Sequence, residues 1–169
     1  ENAHTIKAYL IANDSGTIAH QQIIPVKERA EQMPLSFSQE RLWFIDRLMG
    51  SVQYHLPGIY RLKGKINIQT LEASFKAVLT RHEALRTVVR ESANGPYQLL
   101  LPAEQWLLES IQLMTLEKSA GAVIAAMVRR PFDLQHDYML RVLLLELSPQ
   151  EHLLAVVLHH IAADGWSVD

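Results

Sequence analysis

Two adjacent histidines, followed by an aspartate and a glycine, stand out as residues that could do chemistry: His159-His160-Ile161-Ala162-Ala163-Asp164-Gly165. A neutral imidazole with an ordinary pKa of about 6.5 can accept a proton at working pH. At the end of a strand and beside a cleft, such a base suits attack by an amine or hydroxyl on an activated acyl group. Asp164 can orient a histidine, or pair with an arginine and fix the loop. Gly165 permits a tight backbone turn. A rival chemistry is a zinc site, because His159, His160 and Asp164 are all zinc ligands. A structural role for the whole segment is the third reading. From these residues alone the three stay open.

The elements in front of the segment constrain it. Leu153-Leu154-Ala155-Val156-Val157-Leu158 is an unbroken apolar run, which predicts a strand buried on both faces. Successive strand residues point to opposite faces, so His159 and His160 cannot share one role if the strand continues through them. One is expected to face the core and the other a cavity. Residues 139–147 predict the partner strand of a hairpin, closed by Ser148-Pro149-Gln150-Glu151.

Upstream, Ser36 is placed to cap a helix carrying Leu42, Trp43, Ile45 and Leu48, with Gly50 as its stop. Trp43 reads as core, and Arg41 as a link between elements. A strand is expected over 54–62. Asn67 opens a second helix with Leu71, Phe75, Val78 and Leu79 at helical spacing. A strand over 85–90, a turn at Asn94-Gly95-Pro96, an apolar stretch over 97–101 and a helix over 116–130 halted by Pro131 complete the pattern. The mixture predicts an α/β sandwich.

With 169 residues the chain can hold one ordinary domain with a core. A net charge of −2, with no run of basic residues, gives no pull toward nucleic acid or an anionic membrane. There is no cysteine, which excludes disulfides, thiolate metal sites and a cysteine nucleophile. The first residues lack a signal-peptide layout. The apolar stretches fall short of the roughly 20 residues that span a bilayer. A cytoplasmic protein is expected. The stop at Trp166-Ser167-Val168-Asp169, just past the most chemical segment, predicts a piece of a longer domain.

The residues resemble those of a known family. His159 to Gly165 is similar to the HHxxxDG motif of nonribosomal peptide synthetase condensation domains. Leu35-Ser36-Phe37-Ser38-Gln39-Glu40-Arg41-Leu42-Trp43 resembles the family's S-x-A-Q-x-R-L-W, with Ser38 in place of alanine. Arg81-His82-Glu83-Ala84-Leu85-Arg86-Thr87 resembles R-H-E-x-L-R-T, and Arg130-Pro131-Phe132-Asp133-Leu134 resembles R-P-F-D-L. The four segments follow the family's order.

The resemblance implies a chloramphenicol-acetyltransferase-like fold in which two lobes enclose a tunnel. Residues 34–169 would be the truncated N-terminal lobe. Residues 1–13 resemble the last helix of an upstream peptidyl carrier domain, and 14–33 the linker between them. By implication an aminoacyl amine attacks a peptidyl thioester, both held on the 4′-phosphopantetheine of carrier domains, with no cofactor bound to this lobe. His160 takes the catalytic position. Asp164 is expected to pair with Arg86, or failing that Arg81. His159 supports the loop, and the Gly165 N–H helps place a thioester oxygen. Upstream and downstream carrier domains, a C-terminal lobe and a nearby adenylation domain are the implied partners. Epimerization domains and fatty-acylating starter domains keep the same motif and are the alternatives, as is a noncatalytic interaction piece. The fragment alone is expected to be inactive. Cyclisation domains replace the motif with aspartates, so the sequence argues against them.

Overall fold

Side-chain caps place the helices where the sequence predicts them. Ser36 accepts the Gln39 backbone N–H on its hydroxyl, and the Gln39 side chain accepts the Ser36 N–H, a capping box that opens α1 (Phe37–Met49). Gly50 closes it with φ of 79°, a region that favours glycine. Asn67 accepts the Thr70 N–H and opens α2 (Ile68–Arg81). Ser119 accepts the Ala122 N–H and opens α3 (Ala120–Arg129). The last helix thus starts later than its apolar pattern suggested. The computed structural model describes residues 32–112 and 119–164, all within one unit, Glu31–Asp169.

The main sheet has four strands: β2 (His55–Lys63), β5 (Glu109–Gln112), β6 (Leu140–Ser148) and β7 (Glu151–His159). Their spatial order is β2-β7-β6-β5. β7 pairs antiparallel with both neighbours, and β5 runs parallel to β6. A smaller sheet has the order β1-β4-β3, from β1 (Met33–Pro34), β3 (Thr87–Ser92) and β4 (Gly95–Leu100).

Strand alternation divides the core in two. Leu143, Leu145, Ala155 and Val157 pack on one face of the main sheet with Ile124 and Met127 of α3, Phe132 and Val88, and Trp43 of α1 lies against them. Val142, Leu144 and Leu154 pack on the other with Leu79 of α2 and Trp106. Helices therefore cover both faces, as the predicted α/β sandwich requires.

Two local expectations change. The predicted strand over 85–90 begins only at Thr87, because Glu83–Arg86 is wound into a 3-10 turn. Tertiary hydrogen bonds hold that turn: the Arg86 guanidinium donates to the carbonyls of Leu79 and Leu101, and the Thr87 hydroxyl donates to the Glu83 carbonyl. β7 is central but not sealed on both faces. Val156 and Leu158 border an open hollow instead.

Candidate functional site

β7 carries the histidine pair to the edge of the core. His159 is its last residue, opposite His55 of β2, and its N–H donates to the Met139 carbonyl at 3.2 Å. The chain then turns. The His160 N–H donates to the Tyr54 carbonyl at 2.9 Å, and the Ala162 N–H donates to the His159 carbonyl at 3.0 Å.

His159 is fully buried. Its Nδ1 accepts the Ile161 N–H at 3.1 Å, so the ring proton sits on Nε2. Nε2 donates to Ser51 Oγ at 2.9 Å, and the Ser51 hydroxyl in turn donates to the Asp46 carboxylate. The rings of Phe132 and His55 meet His159 edge-on, with centroids 5.7 and 5.8 Å away. Burial, reinforced by His55 and His160, pushes the His159 pKa down to about 4, so the ring is neutral at neutral pH. One nitrogen accepts and the other donates within the protein. That leaves no lone pair for a metal ion and argues against the zinc reading. Among the described residues no three metal-binding side chains come together.

His55 behaves in a related way. Its Nδ1 donates to the Val128 carbonyl at 2.7 Å, its Nε2 is buried without a partner, and burial lowers its pKa. Phe132 lies under the Arg141 guanidinium at 4.1 Å, and Arg141 is anchored to the carbonyls of Met127, Arg130 and Pro131. The Arg130–Leu134 segment is therefore the wall behind His159.

His160, one residue further, is exposed. The two histidines divide as expected, His159 in the core and His160 outside it, but the strand stops at His159 and the turn, not strand alternation, carries His160 outward. Ala162 and Ala163 border a hollow of about 600 Å³ together with Val156, Leu158, Arg81 and His82. Arg81 thus lies on the same hollow as the histidine loop. The hydrogen bonds of Arg86 run to Leu79, Leu101 and Glu83. Asp164 is exposed at the end of the described loop, and Gly165 lies outside the described residues, as do 1–31.

Sequence reasoning missed Ser51, Asp46, His55 and the Tyr54 carbonyl. None belongs to a motif singled out by residue type, and only the pairing of β2 with β7 brings this region to the histidines. Phe132 was visible within a matched segment, but its place against His159 was not.

A mixed sheet with helices on both faces thus carries, at the end of an inner strand, one buried histidine and, in the turn that follows, one exposed histidine. The chain belongs to the condensation-domain family, whose model matches residues 29–169. It is 40% identical over 155 residues to a linear gramicidin synthase polypeptide of Brevibacillus parabrevis, a match that covers 88% of this chain and 2% of that protein. It is 39% identical over 142 residues to a dimodular nonribosomal peptide synthase of Bacillus subtilis, covering 83% of this chain and 6% of that one. Among solved structures it resembles the X-domain in a complex with OxyB from teicoplanin biosynthesis, with a TM-score of 0.74 and 33% identity, over 83% of this chain and 30% of that one. The starter condensation domain of rhizomide synthetase RzmA shares the fold, with a TM-score of 0.72, 23% identity, and coverage of 81% and 34%. The chain thus spans about a third of each solved chain and a few per cent of each synthetase. No helix among the described residues is long and apolar enough to cross a membrane.

Proposed function

We propose that this chain is the N-terminal lobe of a domain that forms peptide bonds in a cytoplasmic nonribosomal peptide synthetase. Two carrier domains bring their substrates as thioesters on 4′-phosphopantetheine, and the lobe itself binds no cofactor. The amine of the acceptor aminoacyl group attacks the donor carbonyl. The C–N bond forms, the C–S bond breaks, and the carrier thiol leaves with the proton given up by the amine.

His160 receives that proton or positions the attacking amine. The observation that carries this reading is its exposed ring at the end of the central strand, one residue beyond a histidine locked in the core. Asp164 anchors the loop to an arginine of the second matched segment. Arg81, which borders the hollow shared with Ala163, supports one version of that pairing; Arg86 is the other. The Gly165 N–H helps place the thioester oxygen. A C-terminal lobe closes the tunnel, and an adenylation domain supplies activated amino acids.

The test is made in the full-length synthetase with both carriers loaded. His160→Ala is expected to cut product by roughly 10²- to 10⁴-fold, measured by mass spectrometry, while the protein stays folded. Full turnover in that variant overturns the assignment. A second reading, a noncatalytic interaction lobe, draws on the likeness to an X-domain solved with OxyB. It predicts turnover indifferent to His160.

A further inference from the structure

The turn that follows α1 holds the histidine loop at two points. Ser51, only 1% exposed, reaches His159 Nε2 through its hydroxyl. Three residues on, the Tyr54 carbonyl takes the His160 N–H at 2.9 Å. The turn is itself closed by the Tyr54 N–H on the Ser51 carbonyl at 2.8 Å.

We propose that Asp46 and Ser51 are positioning residues for His160, acting through the tautomer of His159. The relay has a fixed direction. The Asp46 carboxylate can only accept, so it takes the Ser51 proton. The Ser51 oxygen is then free to accept from Nε2 of His159. That places the imidazole lone pair on Nδ1, where it takes the Ile161 N–H, the first backbone donor after His160. Reversing any link would set two donors against each other at Ile161. The loop on which His160 sits is therefore held from behind by a side-chain chain that starts on α1, more than a hundred residues earlier in sequence. None of these groups touches the open face, so none is a catalytic residue. Their effect is on the placement of His160, where an error of about 1 Å can cost roughly a hundredfold in rate.

This inference rests on the assignment of His160 as the reacting base, but its first readout does not. With the full chain labelled with 15N-histidine, His159 is expected to show the Nε2–H tautomer. In Ser51→Ala the ring is expected to populate both tautomers, and exchange of the Ile161 amide to rise about tenfold or more. Asp46→Ala acts at the half-buried outer end of the relay, and it should move both signals the same way should Ser51→Ala fold poorly. Asp46→Asn keeps an acceptor oxygen and should restore them. In the full-length synthetase with loaded carriers, Ser51→Ala should lower kcat roughly ten- to a hundredfold with KM little changed, and Asp46→Asn should stay near wild type. An unchanged His159 tautomer and Ile161 exchange in both Ser51→Ala and Asp46→Ala overturns the relay. A changed tautomer with unchanged kcat overturns its positioning role. Full turnover in His160→Ala overturns the assignment of the base and leaves the tautomer result standing.

Discussion

Behind the end of β7, every polar atom of the His159 ring is engaged, by Ser51 on one side and the Ile161 N–H on the other, with Phe132 and His55 packed against its edges. In front of it, the His160 backbone N–H donates to the Tyr54 carbonyl, and the residue is exposed. Two identical residues in succession have opposite environments because the strand ends at the first and the chain turns out of the sheet at the second. Burial removes the first from acid–base chemistry near neutral pH, since its pKa falls to about 4. The second stays exposed. A pair of histidines in sequence is thus one buried brace and one exposed ring, the ring we propose as the base.

Substitutions can break this division, and the largest effect should come from the open side. His160→Ala should cut amide formation by roughly 10²- to 10⁴-fold, while its thermal midpoint stays within about 2 °C of wild type, since an exposed ring contributes little to stability. The reverse holds behind the strand. His159→Ala leaves a cavity and strands the Ser51 hydroxyl and the Ile161 N–H, so urea unfolding should show a loss of about 3 kcal/mol.

The same buried ring should make stability depend on pH. His159 has a folded pKa of about 4, below the ordinary 6.5 of the unfolded chain. Between those values the unfolded state binds a proton that the folded state refuses. Stability is therefore complete above pH 6.5 and falls as the pH drops toward 4, by up to about 3 kcal/mol. His55 shifts in the same direction and adds to the slope. Urea midpoints between pH 4 and 7.5 would check this, and a curve that stays flat below pH 6 would count against a neutral, buried His159.

Smaller changes sharpen the contrast. Phe132→Leu keeps an apolar side chain but loses the ring edges against His55 and His159 and the Arg141 stack. A loss of about 1 kcal/mol is expected in chemical denaturation. Arg61→Ala removes an exposed ion pair with Glu151, at 2.8 Å, near the far end of β7. It should change stability by less than about 0.5 kcal/mol, and less still in high salt.

Capping residues made the helices legible. Ser36 and Asn67 announce helix starts through bonds a few residues long, and Gly50 a stop, so their signals survive without knowledge of the rest of the fold. The 3-10 turn over Glu83–Arg86 was not legible, because the carbonyls that hold Arg86 belong to α2 and to the residue after β4. Nor was the half-burial of Val156 and Leu158, whose apolar character suggests full burial but which border the hollow beside the loop.

By itself the sequence determined which strand leads into the histidine pair, that its two members would diverge if the strand ran through them, and which segments resemble a condensation domain. These follow from residue type, local spacing and strand periodicity. Only the tertiary structure decided which histidine is sealed, what fixes its proton and what backs it. Those answers depend on the antiparallel register that sets His55 against His159, and on a serine 108 positions away that closes the relay to Asp46. Contacts over such separations leave no periodic trace in the chain.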